Sequence, residues 1–125
     1  MTINELFQHG MDRHLPELIP VNGEVILNLG AGNKLISGTI PLDYPGWDGE
    51  TDDLPFDDEG VDHIFAFHFF EHLNNPVRCL YDCQRVLKPN GTLNIVVPYY
   101  TSQIAYQDLD HKKFFCVETW RTLFR

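Results

Sequence analysis

A short apolar run that stops at two glycines, Val25-Ile26-Leu27-Asn28-Leu29-Gly30-Ala31-Gly32-Asn33, constrains this chain more than any other feature. A buried strand ending in Gly-x-Gly leaves a turn where backbone can approach a ligand with no side chain in the way. The alternative is a tight structural turn with no ligand. The next apolar run ends at Asp43, so a parallel return leaves barely enough chain for a crossover and no room for a long helix. Asp43 then sits at the tip of the neighbouring strand, where a carboxylate can accept hydrogen bonds from ribose hydroxyls. A simple turn carboxylate is the plainer reading of that residue.

The rest of the chain alternates strands with helices. Ile3, Leu6, Phe7, Met11 and Leu15 predict a helix over 3–15, ending before Pro16. Strands are expected at 24–29, 39–43, 61–67 and 92–97, with a short extra strand at 47–51. Asn75-Pro76 reads as an N-cap with proline at the first helical position, opening a helix through Leu87. Lys88-Pro89-Asn90-Gly91 reads as a turn, 98–110 as irregular, and 118–124 as a last helix. This order implies one domain over 1–125: an α/β, Rossmann-like, mostly parallel sheet of four or five strands with helices on both faces. Ligands in such folds bind at the carboxyl ends of the strands.

Composition narrows the partners. The net charge is −9, and no Lys or Arg lies between Asp43 and Asp62, so the surface repels a phosphate backbone and nucleic acid is not an expected partner. No apolar run approaches the roughly 20 residues that span a bilayer. The first residues also lack a basic-then-apolar signal layout, so no membrane role and a cytoplasmic location are expected. Cys79, Cys83 and Cys116 form no Cys-x-x-Cys pair, and buried free thiols are the expected state of the first two.

The crossover separates the candidate cofactors. A dinucleotide fingerprint needs a third glycine and a helix N-terminus for the pyrophosphate; Gly30-Ala31-Gly32-Asn33-Lys34-Leu35 offers neither. A cofactor with a ribose and an adenine but no phosphate fits better, and S-adenosylmethionine is of that kind.

At this point the chain resembles the class I S-adenosylmethionine-dependent methyltransferases, in particular a small branch with a short first crossover. The resemblance rests on Leu27 to Lys34, Pro41-Leu42-Asp43, Asp53 to Asp58 with Val61-Asp62, Phe69-Phe70-Glu71-His72-Leu73, and Arg85 to Leu93. It implies that Asn28, Gly30, Ala31 and Gly32 hold the methionine end of S-adenosylmethionine and Asp43 the ribose. Asp52, Asp53 and Leu54 would face the adenine, and Phe67 and His68 would form the lip beside the sulfonium. The family's usual acid before the glycine loop is Asn28 here, which implies a weaker hold on the cofactor. The family's last two strands have no counterpart in this sequence, so the 92–97 strand is an expected open edge and homodimerisation an expected consequence.

His68 and His111 are the candidate catalytic bases, because imidazole titrates near working pH. His68-Phe69-Phe70-Glu71-His72 also spells H-x-x-E-H, an inverted zinc-protease motif. A zinc site there needs the three residues on one helix and a third ligand from far downstream, so no metal is expected. The expected reaction is methyl transfer from S-adenosylmethionine to an oxygen, nitrogen or carbon of a small or macromolecular acceptor. The rival reading is a non-catalytic binding domain that regulates or assembles with a partner, since one fold hosts both.

Overall fold

The structure, a computed structural model, describes residues 23–123. The helix expected over 3–15 lies outside these residues. Four strands, β1 (Ile26–Leu29), β2 (Ile40–Leu42), β3 (Val61–Phe67) and β4 (Leu87–Val96), form one sheet in the order β2-β1-β3-β4. Every pairing is parallel. All four residues of β1 are buried, as expected of a strand covered on both faces of a parallel sheet. The chain passes from β1 outward to β2, then crosses back to place β3 on the other side of β1. That reversal between β1 and β3 is a topological switch point, and it opens a crevice at their carboxyl ends.

Between Gly30 and Thr39 no helix forms, in line with the short crossover. Ile36 supplies the apolar anchor of this loop, 5% exposed, and the Lys34 N–H donates to the Ala31 carbonyl. The segment 47–51, where a short strand is expected, instead forms turns closed by Trp47 N–H to Asp43 and Asp52 N–H to Asp48. Proline and glycine on either side of this segment favour turns over a further strand.

Helix α1 (Pro76–Val86) begins as the sequence predicts, with the Asn75 side chain accepting the Arg78 N–H and proline in its first turn. Its inner face places Cys79, Leu80, Cys83 and Val86 in the core. Cys83, fully buried, has its thiol pushed upward by a hydrogen bond with Cys79 and by burial, so both are packing residues. The chain leaves α1 directly into β4. Residues 88–91, read from sequence as a turn, are looped out inside that strand: Leu87 pairs with Val61 and Thr92 with His63. The turn chemistry of Pro-Asn-Gly is real, but the strand resumes on both sides of it. A short helix α2 (Gln103–Gln107) occupies the segment expected to be irregular, capped by the Ser102 hydroxyl accepting from Ile104 N–H. Helix α3 (Val117–Leu123) follows, and the Phe115 and Trp120 rings stack at 5.2 Å.

The acidic loop at 54–58 is tied to α1 by charge. Asp82, 11% exposed, accepts from Arg85 Nε at 2.7 Å and from the Leu54 N–H. Arg85 in turn donates to the Phe56 and Leu54 carbonyls and to Asp58. Burial works to raise the Asp82 pKa, but the hydrogen bonds from Arg85 and Leu54 and the positive charges of Arg85 and Arg78 outweigh it, leaving the carboxyl below its ordinary value.

Asp82→Ala is expected to cost about 2–3 kcal/mol in urea unfolding at neutral pH, the range for lost charge-assisted hydrogen bonds. Because the folded pKa is lowered, this stabilisation is present above the ordinary carboxylate pKa of 3.8 and is lost as pH falls through the folded value. The gap between parent and variant should therefore narrow below about pH 4.

Candidate functional site

The crevice is built by the ends of β1, β2 and β3 and the loops that follow them. Gly30 leaves β1 with φ +67°, and Gly32 follows at φ +53°. The two glycines are needed for different reasons. A Cβ on Gly30 would lie 2.6 Å from the Phe69 ring, so packing excludes any side chain there. A Cβ on Gly32 would meet nothing closer than 3.8 Å, and there the positive φ alone favours glycine. The left-handed turn aims the Gly32 N–H at Asp43 Oδ2, 2.8 Å away, while Oδ1 accepts the Tyr44 N–H at 2.8 Å. Asp43 is exposed and keeps lone pairs on both oxygens for further donors.

Asn28, Gly30 and Ala31 line a narrow cavity with Lys34, Ile36, Phe67 and His68. Asn28 is 3% exposed, and its Nδ2 donates to the Lys34 carbonyl at 3.1 Å. A carboxylate at this position has no proton to give, so the amide holds the 30–38 loop in a way the family's usual acid does not. The cavity encloses only about 40 Å³. Ligand pockets are typically about 300–1,000 Å³, so a nucleoside needs the open surface beside Asp43 or an outward movement of this loop.

His68 ends β3 with φ +54°, a backbone region that non-glycine residues seldom occupy and that clusters at functional sites. Its Nδ1 donates to Glu71 Oε2 at 3.1 Å, which leaves Nε2 as the basic nitrogen of the neutral ring. Glu71 is 1% exposed, and its Oε1 has no hydrogen-bond partner. The Glu71 carbonyl accepts the N–H groups of both Lys112 and Lys113, which binds the distant His111 segment against the end of β3. His111 is nearly buried: its Nδ1 donates to the Ala105 carbonyl at 3.2 Å, and its ring packs edge-on against His72 at 4.7 Å. His72 Nδ1 donates to Asp110. Hydrogen bonds from Lys112 and His72 hold the Asp110 carboxyl below the ordinary range.

The structure thus gathers Asn28, Gly30, Ala31, Phe67 and His68 in one cavity and joins Gly32 to Asp43. It does not bring Asp52, Asp53 or Leu54 into that cavity. Asp52 Oδ2 caps the Asp48 N–H, and Asp53 pairs with Arg78 at 2.9 Å. Leu54, expected on the adenine side, is a core residue with 2% exposure, so its side chain packs inward. His111 lies outside the cavity; its neighbours Lys112 and Lys113 bond the Glu71 carbonyl, and His68 bonds the Glu71 side chain. Lys34 and Ile36 also line the cavity, and sequence reasoning misses them because a loop lysine and an isoleucine carry no motif. Glu71 is visible in the sequence as part of the Glu71-His72-Leu73 segment and of H-x-x-E-H, but nothing there shows that it orients His68.

Gly30→Ala is expected to destabilise the chain by about 2–4 kcal/mol, combining left-handed strain with overpacking against Phe69. Gly32→Ala, which meets open space, should cost only about 1–2 kcal/mol. Denaturant unfolding of both variants checks the order, and equal losses would contradict the packing account of Gly30.

Residues 31–95, just over half of the chain, match the family model described as a methyltransferase domain. No curated protein matches the chain. Among solved structures, the chain is similar to one in the complex between the Haloferax volcanii Trm112 methyltransferase activator and a proposed methyltransferase. The TM-score is 0.65 at 27% identity, over 86% of this chain and 61% of that one. The chain therefore spans less than two thirds of that relative. With a sheet wound 2-1-3-4, a glycine turn at its switch point and the family match across it, this chain belongs to the methyltransferase domain family.

Proposed function

We propose that the chain binds S-adenosylmethionine at the switch-point crevice and directs its methyl group to an oxygen, nitrogen or carbon acceptor. The observation that carries this reading is the convergence of Gly30, Gly32, Asp43 and His68 at the carboxyl ends of adjacent parallel strands, in a chain of the methyltransferase domain family. The site fits a nucleoside: Asp43 is an exposed acceptor locked in orientation by two backbone N–H groups, beside a turn free of side chains.

When bound, S-adenosylmethionine supplies a methyl carbon already activated by its sulfonium. The residues of the chain then contribute position and dryness. Asn28, Gly30, Ala31 and Gly32 form the wall for the methionine end, and Asp43 accepts from the ribose hydroxyls. Asp52 and Asp53 belong to the adenine side, with Leu54 setting their backbone from the core. Phe67 and His68 form the lip. His68 Nε2 is the base that takes a proton from the acceptor, and Glu71 fixes the orientation of its ring. The Lys112 and Lys113 N–H groups, next to His111, hold the Glu71 carbonyl from behind.

The outer edge of β4 has no strand partner among the described residues. A groove of about 610 Å³ lined by Leu93, Ile95, Val97, Phe115 and Trp120 runs beside it. We assign this edge to a protein partner: a second copy of the chain first, and an activator protein as the second reading, as in the complex of the Haloferax volcanii relative. No helix among the described residues is long and apolar enough to cross a membrane, which accords with the cytoplasmic location we propose.

Calorimetric titration should give S-adenosylmethionine binding below millimolar concentration, with no NAD binding under the same conditions. Asp43→Ala should lower the affinity at least about tenfold, the effect of roughly 1.4 kcal/mol, without unfolding the chain. Preference for NAD would overturn the cofactor assignment. Release of S-adenosylhomocysteine on addition of an acceptor, lost in His68→Ala with binding retained, separates catalysis from binding alone. Sedimentation should show a dimer that Ile95→Lys converts to monomer; a monomeric parent chain at micromolar concentration would direct the β4 edge to a different protein.

A further inference from the structure

Behind the cofactor crevice, Glu71, His72 and His111 each place one ligating atom within 4.8 Å of the others. We infer that these three residues form a binding site for a divalent transition metal of the zinc class.

The donor chemistry carries the inference. The Ala105 carbonyl can only accept, so His111 Nδ1 must donate and Nε2 of the neutral ring holds a lone pair. His72 Nδ1 likewise donates to the Asp110 carboxylate, leaving its Nε2 as a lone pair. A histidine anchored on one nitrogen by a carboxylate or carbonyl, with the other free, is the arrangement that orients metal ligands. Glu71 adds the third donor. One oxygen serves His68, and the other, Oε1, is buried without a partner, a costly state for a carboxylate oxygen unless a cation meets it. His111 Nε2 also faces the exposed carboxylate of Asp108 at 3.7 Å, outside the three-residue cluster. Two imidazoles and carboxylate oxygens suit zinc and exclude magnesium, which prefers an all-oxygen octahedron.

The H-x-x-E-H spelling misleads here. His68 is occupied with the cavity side of Glu71, and its place among the ligands is taken by His111, carried in by the two hydrogen bonds to the Glu71 carbonyl. A third ligand far away in sequence is therefore present after all. Metal bound here would also tighten the carboxylate that orients His68.

The site shares Glu71 with the methyl-transfer reading but does not rest on it, and its test uses no methyl donor. Equilibrium dialysis of the full-length, tag-free chain against zinc should show one equivalent bound with micromolar or tighter affinity, and none of magnesium. Cobalt in place of zinc should give visible absorption without a thiolate band, which excludes the cysteines as ligands. His111→Gln and His72→Gln should each abolish uptake, and Asp110→Asn should weaken it about 10–100-fold. Cys116→Ser should leave it unchanged. Circular dichroism checks that each variant folds, and the two histidine variants suffice without Glu71→Gln, whose buried position most endangers folding. No zinc bound to the folded chain would show that a shared proton satisfies the cluster and would overturn the site. Binding that survives both histidine substitutions would overturn it equally.

Discussion

The Phe69 ring is the knot on which the site depends. It lies against Gly30 at the end of β1 and against Gly49 in the turn region, each so close that a Cβ would come within 2.6 Å. It also packs on Trp47 at 5.7 Å and edge-on to Phe70 at 5.1 Å. One side chain thus fixes the spacing between the glycine turn, the turns at 47–51 and the exit of β3. The crossover from β1 to β2 is too short to carry a helix that could do this, so the aromatic residue after β3 supplies the support. A close-packed interior transmits any change at Phe69 to all three segments.

Much of the fold is legible in the sequence because its signals are local and repeated. Val61–Phe67 is rich in β-branched and aromatic residues and follows a turn, and Asn75-Pro76 marks the start of α1 by capping chemistry. Where sequence and structure part, the causes are physical. The Lys88–Gly91 segment has turn residues, but parallel pairing with β3 resumes beyond it and turns the loop into a bulge. The stretch 47–51 contains Trp47 and Thr51, yet its core contact comes from one tryptophan rather than an alternating face. Helix α2 depends on a single serine cap in a segment whose composition is otherwise that of a loop.

The site is legible only in part. Glycines and Asp43 declare themselves by spacing, because the turn at the switch point needs them in a fixed order along the chain. Asn28 visibly differs from the family's acid, but its role, a donor to the Lys34 carbonyl, exists only in three dimensions. The meeting of His111 with Glu71 and His72 is wholly tertiary: it is made by main-chain hydrogen bonds across a long loop and leaves no periodic trace. Leu54 shows the opposite failure, where adjacency to Asp52 and Asp53 suggests a shared surface that alternation of burial denies.

The left-handed backbone at His68 has a consequence for how this domain can be improved or can drift. Asparagine tolerates that conformation better than histidine, and glycine accepts it at no steric cost. Random stabilising substitution would therefore favour removing the one imidazole that faces the cavity. Stability screens on this chain would enrich glycine or asparagine at this position, and the cavity would lose its imidazole, the trade-off that strained backbone imposes on a fold.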